Sequence, residues 1–162
     1  MNRLLLTLGT FAFAAVVYGL MLIGWRSRQR RQVDLPEPVV AQGISPEIAR
    51  IDHGLFVGTT GADNWLDRIA VHGLSNRSTA ALEVREDGVH VVREAGLELF
   101  IPWGSMNGVS VETSLAGKVV STGMLLVSWQ LGARALVSAY RADDPADHER
   151  LRAVIETRKE AA

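Results

Sequence analysis

Leu4–Trp25 is a run of 22 residues whose only ionisable side chain is Tyr18. Wound as a helix it covers about 33 Å, close to the roughly 30 Å of a bilayer's hydrocarbon core. Gly9, Gly19 and Gly24 are tolerated in such a helix, because lipid offers the backbone no competing partner. Ala12-Phe13-Ala14 has the small-x-small form of a signal-peptide cleavage site. Cleavage there would leave an apolar region of only about ten residues before the cut and a long apolar stretch after it. Signal peptides also carry their charge ahead of the apolar run, whereas here most of it follows. Residues 4–25 are therefore expected to stay in the lipid bilayer as an uncleaved anchor.

Charge sets the expected orientation. Arg3 stands before the run, and Arg26, Arg28, Arg30 and Arg31 follow it closely. Basic flanks remain in the cytoplasm, so the N-terminus is expected outside and the rest of the chain inside, at a bacterial inner membrane. The same four arginines are the membrane-flank candidates for contact with anionic lipid, worth about 1 kcal/mol per basic residue near the surface. Gly9 and Gly24 do not form a G-x-x-x-G pair, so no helix-dimerisation face is read from them.

Beyond residue 31 the balance reverses. The chain has 17 Lys+Arg and 18 Asp+Glu, and five of the arginines lie before residue 32 while none of the acids does. The remainder carries a net charge of about −6 and should repel nucleic acid and anionic headgroups, so neither is a natural partner for the domain as a whole. With no cysteine there is no disulfide, no thiolate zinc ligand and no cysteine nucleophile.

Residues 1–31 are thus read as a transmembrane anchor with an Arg-rich flank, 32–50 as a linker and 51–162 as one soluble domain. Pro36, Pro38, Gly43 and Pro46 give the linker its extended character. Ser45-Pro46-Glu47 has the pattern of a short helix start running to Arg50. After residue 53 the hydrophobic period shortens to two. Strands are expected at Gly54–Thr60, Ile69–Leu74, Leu82–Arg85, Val89–Val91, Leu97–Ile101 and around Val109–Val111. Two more follow, Gly123–Leu131 (the most apolar and expected to be central) and Arg134–Tyr140. Glu86-Asp87-Gly88 is hairpin turn chemistry, and Pro102 ends a strand or marks an edge.

The last element is expected to be a helix. Asp143 or Asp144 caps it and Pro145 sits in its first turn. Leu151, Val154 and Ile155 form its apolar face, with His148 and Arg158 at the margins. A run of strands followed by one helix means an α+β, mostly β domain: a partly open antiparallel barrel of about seven strands, capped by the C-terminal helix.

The segment Leu82–Val111, with its Asp87-Gly88 turn, Ile101-Pro102-Trp103 and Val109, resembles the bacterial pleckstrin-homology-like (PH-like) domains. Leu125–Trp129, Gly132 and Arg141–Asp144 leading into the last helix continue the resemblance, which runs from about Gly54 to Lys159. The whole chain is similar to actinobacterial single-pass membrane proteins with such a domain, often loosely labelled transporters or export proteins. The resemblance implies two orthogonal antiparallel sheets of seven strands, with a helix over one open corner. Phosphoinositide-binding PH domains use basic residues around their first hairpin. Here Gly54–Leu74 offers Arg68 and His72 against Asp63 and Asp67.

No chemistry is expected. His53, His72, His90 and His148 show no i, i+3 or i, i+4 spacing, so no metal site is read and no cofactor is expected. His90 alternates with valines and should face solvent or pack at a sheet edge. The pairs Glu86-Asp87 and Asp143-Asp144 belong to a turn and a helix cap, so no catalytic residue is assigned and the chain is not read as an enzyme. Asn76-Arg77-Ser78 is a chance sequon in a cytoplasmic domain. Trp103 and Trp129 are expected in the core. Trp65, in the polar stretch Gly61–Arg68, either covers an open end of the barrel or is an exposed anchor for a partner or the membrane interface.

The leading expectation is a membrane-tethered interaction module. It would bind an as yet unnamed membrane or cytoplasmic protein through an exposed edge or the Trp65 loop. The alternatives are a lipid or small-ligand binding domain, and an accessory subunit of a membrane transport or export assembly. A single helix cannot form a solute path alone, so the transport role requires other subunits.

Overall fold

The computed structural model describes the backbone of residues 2–41, 43, 45–94, 98–115 and 118–162; side-chain surroundings are described for these except 2, 28, 29, 31 and 113–122. The chain divides into two compact units, Met1–Asp34 and Leu35–Ala162.

The first unit is dominated by one helix, α1, Asn2–Arg31. Its stretch Arg3–Ser27 is long and apolar enough to cross a membrane. The large side chains Leu4, Leu6, Phe11, Phe13 and Met21 are each more than 65% exposed. A soluble helix hides such a surface against a core. Polar groups inside the run are satisfied locally: the Thr7 hydroxyl donates to the Arg3 carbonyl and the Thr10 hydroxyl to that of Leu6, both at 2.9 Å. The helix backbone includes Arg28 and Arg31, whose side chains lie outside the described residues.

The second unit is built from eight antiparallel strands and one helix. In chain order they are β1 (Glu47–Ile51), β2 (Gly54–Gly61), β3 (Ser78–Arg85), β4 (Gly88–Arg93), β5 (Leu99–Pro102), β6 (Met106–Leu115), β7 (Lys118–Leu131), β8 (Arg134–Ala142) and the helix α2 (Ala146–Ala161). Against the strands read from the sequence, Glu47–Ile51 is gained and Ile69–Leu74 is lost, with β1 and β2 separated at Asp52-His53. β1 pairs with the second half of β3, and β2 touches the start of β3 before continuing along β8. One arm of the fold is therefore β1-β3-β4-β5, and the other is β2-β8-β7-β6, joined through β3. β7 is interior, between β8 and β6, but the middle of the strand order is β2 rather than β7.

Alternation explains the core. Leu82, Val84, Val89, Val91, Leu99 and Ile101 point inward from β3, β4 and β5, and meet Leu125, Val127, Trp129 and Leu136 from the other arm. α2 closes over this interior. Leu151 and Ile155 are fully buried, each contributing roughly 1.5–3 kcal/mol of apolar transfer, and Val154 packs at the margin. Asp144 Oδ1 accepts the Ala146 N–H at 2.9 Å, so the helix-starting contact falls on Asp144, with Pro145 already at helical angles. The fold is thus a PH-like, partly open barrel with a C-terminal helix across it.

Three expectations are corrected. The short helix read from Ser45 to Arg50 is strand β1, because pairing with β3 buries Ile51 and outweighs the local cap signal. Ile69–Leu74 is a loop. His72 has φ +54 and Gly73 φ +66, which no strand accommodates, and Ile69 and Leu74 are buried as a plug. His148 lies inside the domain at 1% exposure, not at the helix margin. Of the two placements expected for His90, the structure takes the second: it is 8% exposed and its ring packs 4.5 Å from that of Phe100 on the edge strand β5. Trp129 is in the core as expected, while Trp103 is only partly buried and donates its indole N–H to the Glu86 carbonyl at 3.0 Å. Leu97 lies outside the described residues.

Candidate functional site

The connection between β2 and β3, residues 62–77, is the longest described connection without strand or helix, and it carries Trp65. It is tied down at several points. Ala62 N–H reaches the Ala135 carbonyl at 3.0 Å, Gly61 N–H the Asp67 carbonyl at 2.9 Å, and Ile69 N–H the Thr59 carbonyl at 3.0 Å. Thr60 and Arg68 form an isolated antiparallel bridge. Further along, Thr59 N–H donates to the Leu74 carbonyl at 2.8 Å and the Arg93 guanidinium to that of Gly73 at 2.8 Å.

Between these ties sits a tight turn. Asn64 Oδ1 accepts the Leu66 N–H at 3.0 Å, and the Asn64 carbonyl accepts the Asp67 N–H at 2.9 Å. An asparagine side chain standing in for a backbone acceptor is the usual way such a turn is held. Asp67 is pinned by an ion pair to Arg134 at the start of β8. Arg68 donates back to the Val57 carbonyl. The turn therefore presents two large apolar side chains, Trp65 at 51% and Leu66 at 61% exposure, on a braced backbone. Leu66 was not singled out in the sequence; its signal was simply that it follows Trp65 in a polar stretch.

The surroundings are not basic. Asp63 and Asp67 flank the turn, and the two nearby cations, Arg68 and Arg134, already hold Val57 and Asp67. His72, further along the connection, places Nε2 2.8 Å from the Leu35 carbonyl.

A second polar cluster lies on the outer face of the other arm. Arg50, Glu83, His90 and Phe100 occupy consecutive register positions across β1, β3, β4 and β5. Glu83 is 3% exposed and is held by Arg50 and by Arg85, the latter at 2.7 Å. Burial works against the Asp87 charge, but the Ser45 hydroxyl and His90, whose Nε2 lies 3.1 Å away, hold its carboxyl below the usual range. These contacts fasten the chain before β1 to the β3–β4 turn, and every acid in them already has its cation or donor. Their arrangement is structural.

Among the described residues no group of three or more His, Cys, Asp or Glu side chains could hold a metal ion. The four histidines lie apart: His53 is exposed on the β1–β2 bend, His72 is in the loop, His90 is on β4 and His148 is in α2.

A further surface feature escaped the sequence entirely. A shallow groove of about 300 Å³ lies between β1 and α2, lined by Ile48, Ala153, Val154, Thr157 and Arg158. A one-residue bulge lies at its edge: Glu47 pairs with Arg85 and Ala49 with Val84, leaving Ile48 without a register partner.

A search of curated proteins finds no match to this chain. A family model described as Bacterial PH domain-like matches residues 33–156, three-quarters of the chain and the whole of the strand-and-helix unit up to the last turns of α2. Domains of this kind are in general interaction modules rather than catalysts, in keeping with an exposed apolar turn on a braced scaffold. With its strand order, its closing helix and that match together, the chain belongs to the Bacterial PH domain-like family.

Proposed function

We propose that this protein is a membrane-tethered interaction module whose PH-like domain binds a protein partner at the inner membrane through Trp65 and Leu66. The observation that carries the reading is the exposure of these two side chains on a turn held by backbone and side-chain bonds. A rigid aromatic anchor loses little entropy on docking, and buried Trp contacts dominate many interfaces. The acidic flank favours a protein over an anionic headgroup at this turn.

Residues 4–25 would hold the domain at the bilayer, with Arg26, Arg28, Arg30 and Arg31 keeping it on the cytoplasmic side. Tethering raises the effective concentration of partners in the same membrane, so a weak contact suffices. A photoreactive residue at position 65, crosslinked in native membranes, tests the reading. A discrete protein adduct is expected. Adducts to lipid alone would replace it with the lipid-binding alternative, in which the arginine flank engages anionic headgroups. Protease added to intact cells tests the topology: the domain should be spared, and its digestion would reverse the orientation.

A further inference from the structure

The groove between β1 and α2 sits beside an unpaired strand edge. β1 pairs with β3 along one side, and among the described residues no strand pairs with its other side. An exposed edge is a row of backbone donors and acceptors that an extended chain can complete. The bulge at Ile48 puts an aliphatic side chain into the groove at that edge, facing Ala153, Val154 and Thr157 of α2.

Arg158 gives the groove a charge. The other cations of α2 are engaged: Arg150 with Asp147, Arg152 with Glu149 and Glu156, and Lys159 with the Asn107 carbonyl. Arg158 has Val154 and Ile155 one turn before it and Ala161 and Ala162 one turn after, so the helix offers it no acid. Among the described residues it has no hydrogen-bond or ion-pair partner, and it lines the apolar groove. Of the cations of α2 it is the one left over among the described residues, and it stands where an incoming side chain would lie.

We infer that the β1 edge and this groove form a docking site for an extended peptide segment that carries an aliphatic residue with an Asp or Glu one or two positions away. The backbone of the segment extends the β1-β3-β4-β5 arm. Its aliphatic side chain seats against Ile48 and Val154, and its carboxylate meets the Arg158 guanidinium. The inference rests on the reading that the domain binds protein, but it shares no residue with the Trp65 turn.

The test uses the full chain in lipid nanodiscs against a displayed library of random heptapeptides. Enriched sequences should combine an aliphatic residue with a nearby acid. A fluorescent copy of the best binder should lose about five-fold in affinity to Arg158→Gln, roughly 1 kcal/mol for one exposed charge pair. The same peptide with its acid changed to the amide should be indifferent to that substitution. Thr157→Arg, at an exposed position that lines the groove, should block binding without altering the fold, and circular dichroism melts check this. No enrichment, enriched peptides without acids, or equal binding to the Arg158→Gln and Thr157→Arg variants would overturn the site. Crosslinking at position 65 reads the other surface: loss of binding on Trp65→Ala with Thr157→Arg silent would move the peptide to the loop and leave the protein-binding reading standing.

Discussion

His148 Nε2 accepts the backbone N–H of Ala142 at 2.9 Å, joining the end of β8 to the first turn of α2. An accepting Nε2 means a neutral ring with its proton on Nδ1. Burial is the main influence holding this histidine's pKa below 6.5, and Arg141 acts in the same sense; the Pro145 backbone bond, Asp147 and Asp144 oppose them. The unfolded chain then takes up its proton at a higher pH than the folded one. Stability from this group is present in full above about pH 6.5 and declines as pH falls below it. Urea unfolding at about pH 7.5 and about pH 5.5 should show a lower midpoint at the acid value, and His148→Phe should flatten the difference while lowering stability at both, since Ala142 N–H loses its acceptor. An unchanged pH response in that variant would place the titration elsewhere.

Asp87 titrates in a different window. Its folded carboxyl is held below the ordinary 3.8 despite its partial burial, by the Ser45 hydroxyl and His90. Its contribution is present at neutral pH and is lost as pH falls from about 4 toward the lower folded value. Asp87→Asn should therefore destabilise at about pH 6 and matter progressively less as pH is lowered below about 3, as measured by thermal melting.

The buried hydroxyl of Ser138 serves two neighbours. It accepts the Trp129 indole N–H at 2.9 Å and lies 2.8 Å from the Thr59 hydroxyl, with all three residues no more than 4% exposed. Ser138→Ala strands a buried indole donor and costs about 1–3 kcal/mol. Urea unfolding followed by tryptophan fluorescence measures it directly.

Gly88 is required by close approach. A Cβ there would stand 2.8 Å from the Phe100 ring and 2.9 Å from the Pro102 Cα, because β5 crosses directly beside it. Gly88→Ala should force the edge strand away and destabilise by roughly 1–3 kcal/mol, as expected of overpacking. A melting temperature equal to that of the parent would show that the edge yields freely.

Trp65→Ala should leave stability within about 0.5 kcal/mol of the parent, because a half-exposed side chain on a turn held by Asn64 and Asp67 adds little to folding. The same variant should lose most of the protein adduct formed in membranes by a crosslinker placed at the adjacent position 66. A large fall in melting temperature would assign Trp65 a structural role instead.

Much of the fold was legible where one residue's neighbours along the chain settle its state. The Glu86–Gly88 turn, the alternation in β3 and β4, and the Asp144-Pro145 entry to α2 are short-range signals, and each reappears in the structure. Glu47–Ile51 was misread because its local cap pattern is real but weaker than pairing with β3, more than thirty residues away. His148 was misread because helical periodicity gives its direction on the helix but not what stands opposite. Trp65 was flagged by its polar neighbours, while its exposure depended on whether the barrel end needed a cover. The Ile48 groove had no sequence signal, since a bulge is a property of two strands in register.

The sequence by itself determined the apolar helix, the acidic excess that follows it, and the strand-rich domain with its closing helix. These follow from composition and short-range periodicity. Only the tertiary structure decided that the first strand bends between two arms, that Trp65 and Leu66 stand out from a braced turn, and that Ile48 meets Arg158 across a groove. Each of these depends on contacts between residues far apart in the chain, which chain closure and packing set and no local pattern encodes.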